Sequence, residues 1–192
     1  MKGKPTSTVG GDLVWMSAER GAVSPMRVYI PATLSMLRTL VDSGELIPVA
    51  GTAFALTPML RESYAAGDTE ELEYVAMNEA ARASLRLLAP ELEDDPAALA
   101  RRVVVAADVE RVRLRPDLDD AAVTITGSVA ACAVAAVHVD VAEAEDAVRA
   151  AVAVVDAADL GDPDAEFALG DAEDHDMAWY ATQEIAFLLE LL

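Results

Sequence analysis

Apolar positions from residue 26 onward recur at two different periods, and the change of period marks the elements. Residues 27–30, Arg-Val-Tyr-Ile, read as a short strand that Pro31 ends. Thr33 is placed to cap a helix whose apolar stripe is Leu34, Leu37, Leu40 and Val41, with Gly44 as its C-terminal stop. A second strand is predicted over 52–56, and a short helix over 58–65 that ends before Gly67. Asp68 followed by Glu71 has the spacing of a capping box. The helix it opens carries Leu72, Val75, Ala83 and Leu87 and is expected to stop at Pro90, with 91–96 as an acidic loop.

Three strands follow, over 102–107, 122–126 and 133–139. Asp140, with Glu143 three positions on, then reads as the cap of a helix carrying Val141, Val148, Val152 and Val155. Residues 156–164 read as an acidic loop. A final helix is expected from about residue 171 to the end, striped by Met177, Ala181, Ile185, Leu188 and Leu192. The order is βαβ, helices, three strands, helices, with no repeat. It points to an α+β fold: a two-layer sandwich of a mixed β-sheet with helices mainly on one face.

Residues 1–25 differ from the rest. They are rich in Gly, Ser and Thr, hold both lysines of the chain and keep no period, so they read as a disordered leader or upstream extension. The reading therefore divides the chain into that leader and a single α+β domain over 26–192.

Charge narrows the function classes. The chain of 192 residues has a net charge of −20. Residues 116–192 contain one basic side chain, Arg149, against 18 acidic ones. Such a surface repels phosphate backbones, which argues against nucleic acid as a partner. It suits a basic partner, a cationic ligand or plain solubility. Arg101, Arg102, Arg111, Arg113 and Arg115 are the one basic cluster, and pairing within the chain is expected for them. The longest apolar run, 121–137, is broken by Thr124, Thr126, Gly127 and Ser128 and reads as strands, so no membrane span is expected. The single cysteine, Cys132, lies between alanines and reads as a buried, inert thiol. With no secretory pattern either, the expected location is the cytoplasm.

Phosphate loops, nucleophile elbows, paired cysteines and metalloprotease histidine pairs are all missing. Two constellations remain. His138, at the end of a strand, and His175, at the start of the last helix, could converge with Asp174 on a divalent metal. Against that, carboxylates near residue 171–176 are already favoured by the positive end of a helix. Trp179, Gln183 and Phe187 recur at helical spacing on a second face of the expected final helix. Such a face is either buried in the monomer or docks a protein partner, including a second copy. The acids Asp159, Asp162, Asp164 and Glu166 lack calcium-loop spacing and read as a hydrated loop.

Four segments carry a resemblance: residues 26–33 (Met-Arg-Val-Tyr-Ile-Pro-Ala-Thr), 51–55 (Gly-Thr-Ala-Phe-Ala), 136–140 (Ala-Val-His-Val-Asp) and 179–184 (Trp-Tyr-Ala-Thr-Gln-Glu). Over 26–192 the chain resembles an actinobacterial family known only as a domain of unknown function. That resemblance implies no activity, cofactor or catalytic residue. The leading expectation is a non-enzymatic interaction or regulatory module that self-associates through its C-terminal helix. The alternative is a small enzyme or metal-binding protein using His138 and His175 with nearby carboxylates.

Overall fold

The computed structural model describes residues 25–192. The expected leader lies outside the described residues apart from Pro25. From there the chain forms nine strands and six helices. They are β1 (Met26–Ala32), α1 (Leu34–Ser43), β2 (Glu45–Leu46), β3 (Thr52–Phe54), α2 (Pro58–Ser63) and α3 (Thr69–Asp94). Next come β4 (Val103–Val109), β5 (Val112–Leu114), β6 (Ala122–Ile125), β7 (Val129–Ala130) and β8 (Val134–Asp140). The chain closes with α4 (Glu145–Asp159), α5 (Pro163–Glu173), β9 (Met177–Ala181) and α6 (Ile185–Leu191).

The fold is α+β. Its main sheet has seven strands in the order β5-β6-β3-β1-β4-β8-β9, and β2 pairs with β7 separately. Every pairing is antiparallel, where a mixed sheet was expected. The reason is connectivity. The hairpin partners β5 and β6 and the strands joined through β1 alternate in direction, so no crossover of the βαβ kind is completed within the sheet.

Alternation along β1, β4 and β8 divides the core. Val28, Ile30, Val103, Val105, Val137 and Val139 pack with α1 and α6 on one face. Tyr29, Val104, Ala106 and Ala136 pack under α3 on the other, with Met77, Ala80 and Ala81. The second half of α3 goes on to bury Leu85 and Leu88 against Val148, Val155 and Leu169 of α4 and α5. Most of the helical mass therefore gathers on the α3 side, while two short helices close the other face. The α3 side is filled largely by alanine, which lets the helix lie close to the strands.

Local chemistry explains several boundaries. Thr33 caps α1, accepting from the Met36 N–H at 3.3 Å, and Gly44, at φ 77°, ends it. Asp68 and Glu71 form the reciprocal box that opens α3, at 2.9 and 3.0 Å. The helix does not stop at Pro90. It runs to Asp94 with that proline exposed inside it, and Glu91 turns back to accept a hydrogen bond from Thr33 Oγ1 at 2.7 Å. Its buried positions are Leu72, Ala76, Met77, Ala80, Ala81, Ser84, Leu85 and Leu88, so the expected Val75, Ala83 and Leu87 sit only at the margin of the stripe. Pro31 does not end β1 either. At that position β1 is bonded on the β4 side only, since β3 pairs with it solely at Tyr29–Phe54, and a proline is tolerated where one side of the strand is open.

The C-terminal third departs furthest from expectation. There is no helix from residue 171 to the end. α5 ends at Glu173, a turn follows, residues 177–181 form a strand, and a short helix closes the chain. The expected acidic loop over 156–164 is instead a tight turn between α4 and α5, where Asp162 caps α5 by accepting from the Asp164 and Ala165 N–H groups.

Candidate interaction surface

Among the described residues, β9 is the last strand of the sheet and has a neighbour on one side only. Its position is set by the core behind it. Arg102, just before β4, and Asp140, the last residue of β8, meet in a two-pronged ion pair at 2.9 and 2.8 Å. Asp140 also accepts from the Arg102 backbone N–H at 2.7 Å, and Arg102 Nη2 donates to the His175 carbonyl at 3.0 Å. The turn that delivers β9 is thus tied to the ends of β4 and β8 by a buried guanidinium. Asp140 is not a helix cap. Its side chain is consumed by the pair, and α4 begins five residues later, after a 3₁₀ turn over Ala142–Ala144.

The register of β9 on β8 fixes which groups it offers. Val137 faces Tyr180, His138 faces Trp179 and Asp140 faces Met177. The Asp140 N–H bonds toward β4, to the Arg102 carbonyl at 3.1 Å, so by alternation His138 also points its backbone toward β4, and Val137 and Val139 point theirs toward β9. Their partners Tyr180 and Ala178 therefore use their backbone groups inside the sheet. Met177, Trp179 and Ala181 turn theirs to the open side. The Ala181 N–H agrees with this, being held by Glu184 Oε2 at 2.8 Å. Among the described residues, what stays open is the N–H and C=O of Met177 and Trp179, since the Ala181 carbonyl starts the 3₁₀ turn that follows.

The side chains of β9 include neither a charge nor a proline, the usual guards of an exposed edge. Trp179 lies on the α3 side of the sheet beside His138 and is 60% exposed. Phe187 is 64% exposed on α6, whose Ile185 and Leu188 are buried against the opposite face. Gln183 is exposed in the turn between them. All three residues expected at an interface are therefore at the surface, but they do not share one helical face: Trp179 is on a strand, and the sheet lies between it and Phe187.

The expected metal ligands do not converge. His138 sits mid-strand and half-buried, and burial pushes its imidazole below the ordinary value. His175 lies in the turn before β9, four residues ahead of Trp179, the register partner of His138. Among the described residues no group of three or more His, Cys, Asp and Glu side chains is gathered as a metal site needs.

A model of a family of unknown function (DUF6912) matches residues 26–189, from the first residue of β1 into α6. The chain belongs to that family. No curated protein and no solved structure matches it.

Other features of this DUF6912 chain have structural roles. Arg101 pairs with Glu145 at 2.6 Å and Arg115 with Asp117 at 2.7 Å, so with Arg102 three of the five clustered arginines are bound within the chain. Asp159 pairs with Arg86, and Glu166 with Arg82 at 2.8 Å, which removes them from any cation-binding loop. Cys132 is exposed, contrary to expectation, because the 3₁₀ turn between β7 and β8 carries it outward. At the far end of the sheet from β9, a largely apolar recess of about 250 Å³ is lined by Met59, Leu114 and Pro116 together with Glu62 and Asp120. Among the described residues no helix is long and apolar enough to cross a membrane. Sequence reasoning expected Arg102 to pair within the chain but missed Asp140 as its partner, and it missed the edge strand. The one signal for that strand was the β-favouring Trp179-Tyr180 pair after the turn-forming Asp174 and Asp176.

Proposed function

We propose that this chain is a protein-interaction module that docks an extended segment of a partner protein along β9. The observation that carries this reading is the open backbone edge of Met177 and Trp179 on an uncharged strand, beside a tryptophan that is 60% exposed. An added strand would bond to those backbone groups and rest a side chain on the indole, the mode in which main-chain bonds give affinity and alternate side chains give specificity. A reducing compartment such as the cytoplasm suits the chain, whose one cysteine is exposed.

The reading is tested by selecting binders from a random peptide library displayed on phage. Enriched peptides are expected to slow hydrogen exchange at the Met177 and Trp179 amides and to lose binding to Trp179→Ala. A selection that yields no peptide, or only peptides that leave those two amides unprotected, overturns it.

A further inference from the structure

We infer that the segment docked on β9 is basic, with an arginine or lysine on the face that carries Trp179. The inference rests on the docking reading and adds the chemistry of the partner.

Folding leaves the neighbourhood of β9 negative. Seven arginine–carboxylate pairs link six arginines to seven acids: Asp108, Asp117, Asp140, Glu145, Asp159, Glu166 and Glu173. The whole chain has 34 acids, so most of them keep no cationic partner of this kind among the described residues. Around β9 those include Asp174 and Asp176 before the strand and Glu184 after it. No arginine or lysine occurs between Arg149 and the C-terminus, and Arg149 itself is engaged with the Pro96 and Ala98 carbonyls. A strand arriving at this edge therefore meets carboxylates at both ends, while the arginines that reach this region, Arg102 and Arg82, are already engaged with Asp140 and with Glu166 and Glu173.

Register makes the demand positional. The partner residue opposite Trp179 shares its face of the sheet, with Cβ atoms about 5 Å apart. An arginine there can stack on the exposed indole, while the ends of the segment approach Asp176, just before the strand, and Glu184, in the turn just after it. The same field acts against a second copy of this chain. Antiparallel pairing about Trp179 would bring Asp174 of one copy level with Glu184 of the other, on molecules that each carry a net charge of −20.

The test uses three synthetic seven-residue peptides that alternate valine with arginine, threonine or glutamate. Their affinity for the full chain is measured at low and at physiological ionic strength, with hydrogen exchange at β9. The arginine peptide is expected to bind at least about tenfold tighter than the threonine peptide. It should protect the Met177 and Trp179 amides, lose most of its affinity to Trp179→Ala and keep it with Trp179→Phe. The glutamate peptide should not bind. If the threonine peptide protects β9 with equal affinity, the basic partner is overturned and the docking reading stands. If the arginine peptide binds without protecting β9, mere attraction to an acidic surface is shown and the inference falls. Light scattering that finds a dimer abolished by Trp179→Ala overturns it in favour of self-pairing.

Discussion

Arg102 and Asp140 form a two-pronged ion pair whose side chains are 2% and 0% exposed, at the place where β4, β8 and the turn before β9 meet. Every oxygen of the carboxylate is used, one by Nη2 and the other by Nε and a backbone N–H. A buried pair of this kind adds little net stability over an apolar pair of the same shape, yet removing one partner strands a charge. Asp140→Ala is expected to lower unfolding free energy by about 3–5 kcal/mol in urea denaturation. The double variant Arg102→Met, Asp140→Leu should recover much of that loss. A single variant as stable as the parent would show that the pair is not holding the sheet together. Because Arg102 also holds the His175 carbonyl, amides of β9 should exchange faster in Arg102→Met even where global stability is restored.

The residues that were legible in the sequence are those whose chemistry is local. Thr33, Gly44, Asp68 and Glu71 act on backbone groups within four residues of themselves, and each does what its spacing predicts. The C-terminal segment was not legible in that way. Met177, Ala181, Ile185 and Leu188 have helical spacing, but Met177 and Ala181 belong to a strand and Ile185 and Leu188 to a separate helix. What decides for the strand is pairing with β8, some forty residues earlier, and that partnership leaves no mark on local periodicity. Asp140 shows the same limit. An acid three residues before a glutamate reads as a cap until the guanidinium that claims it, 38 residues away, is seen. The helical spacing of Trp179, Gln183 and Phe187 fitted burial as well as docking, and the single face it implied does not exist, since the sheet lies between Trp179 and Phe187.

Ser84 joins α3 to the sheet through one hydroxyl. Its Oγ donates to the Ala32 carbonyl at 2.8 Å and accepts from the Val103 N–H at 3.1 Å, in a fully buried position. Ser84→Ala leaves both backbone groups without that partner while changing volume little. A loss of about 1–3 kcal/mol is expected in denaturant titration. Loss within error of zero would mean that the two backbone groups find each other once the hydroxyl is gone.

Two glycines with left-handed backbones separate conformational cost from steric cost. Gly44 has φ 77° and open space where a Cβ would stand. Gly51 has φ 69°, and a Cβ there would lie 2.5 Å from the Ile125 carbonyl oxygen, a backbone atom that cannot swing away. Gly44→Ala should cost about 1 kcal/mol, the price of the left-handed conformation alone. Gly51→Ala should cost clearly more, because β3 must shift away from β6. Equal melting temperatures for the two variants would contradict the close approach.

His138 gives the fold a pH dependence of definite sign. It stands between Val104 and Trp179 across the strands, and among the described residues it makes no ion pair. Burial lowers its pKa from the model-compound value of 6.5, because the imidazolium would lose hydration without gaining a partner. In the unfolded chain the group titrates near its ordinary value. As pH falls from about 6.5, the unfolded state takes up the proton first, and the folded state is disfavoured until the pH has passed below the folded pKa. The contribution is thus fully present above pH 6.5 and absent below the folded value. His138→Gln removes it, so stability measured across this window should fall more steeply in the parent than in the variant. The difference between the two curves isolates His138 from the carboxylates, most of which titrate at lower pH. Parallel curves would mean that water reaches the imidazole freely and that the face of the sheet beside Trp179 is more open than its packing indicates.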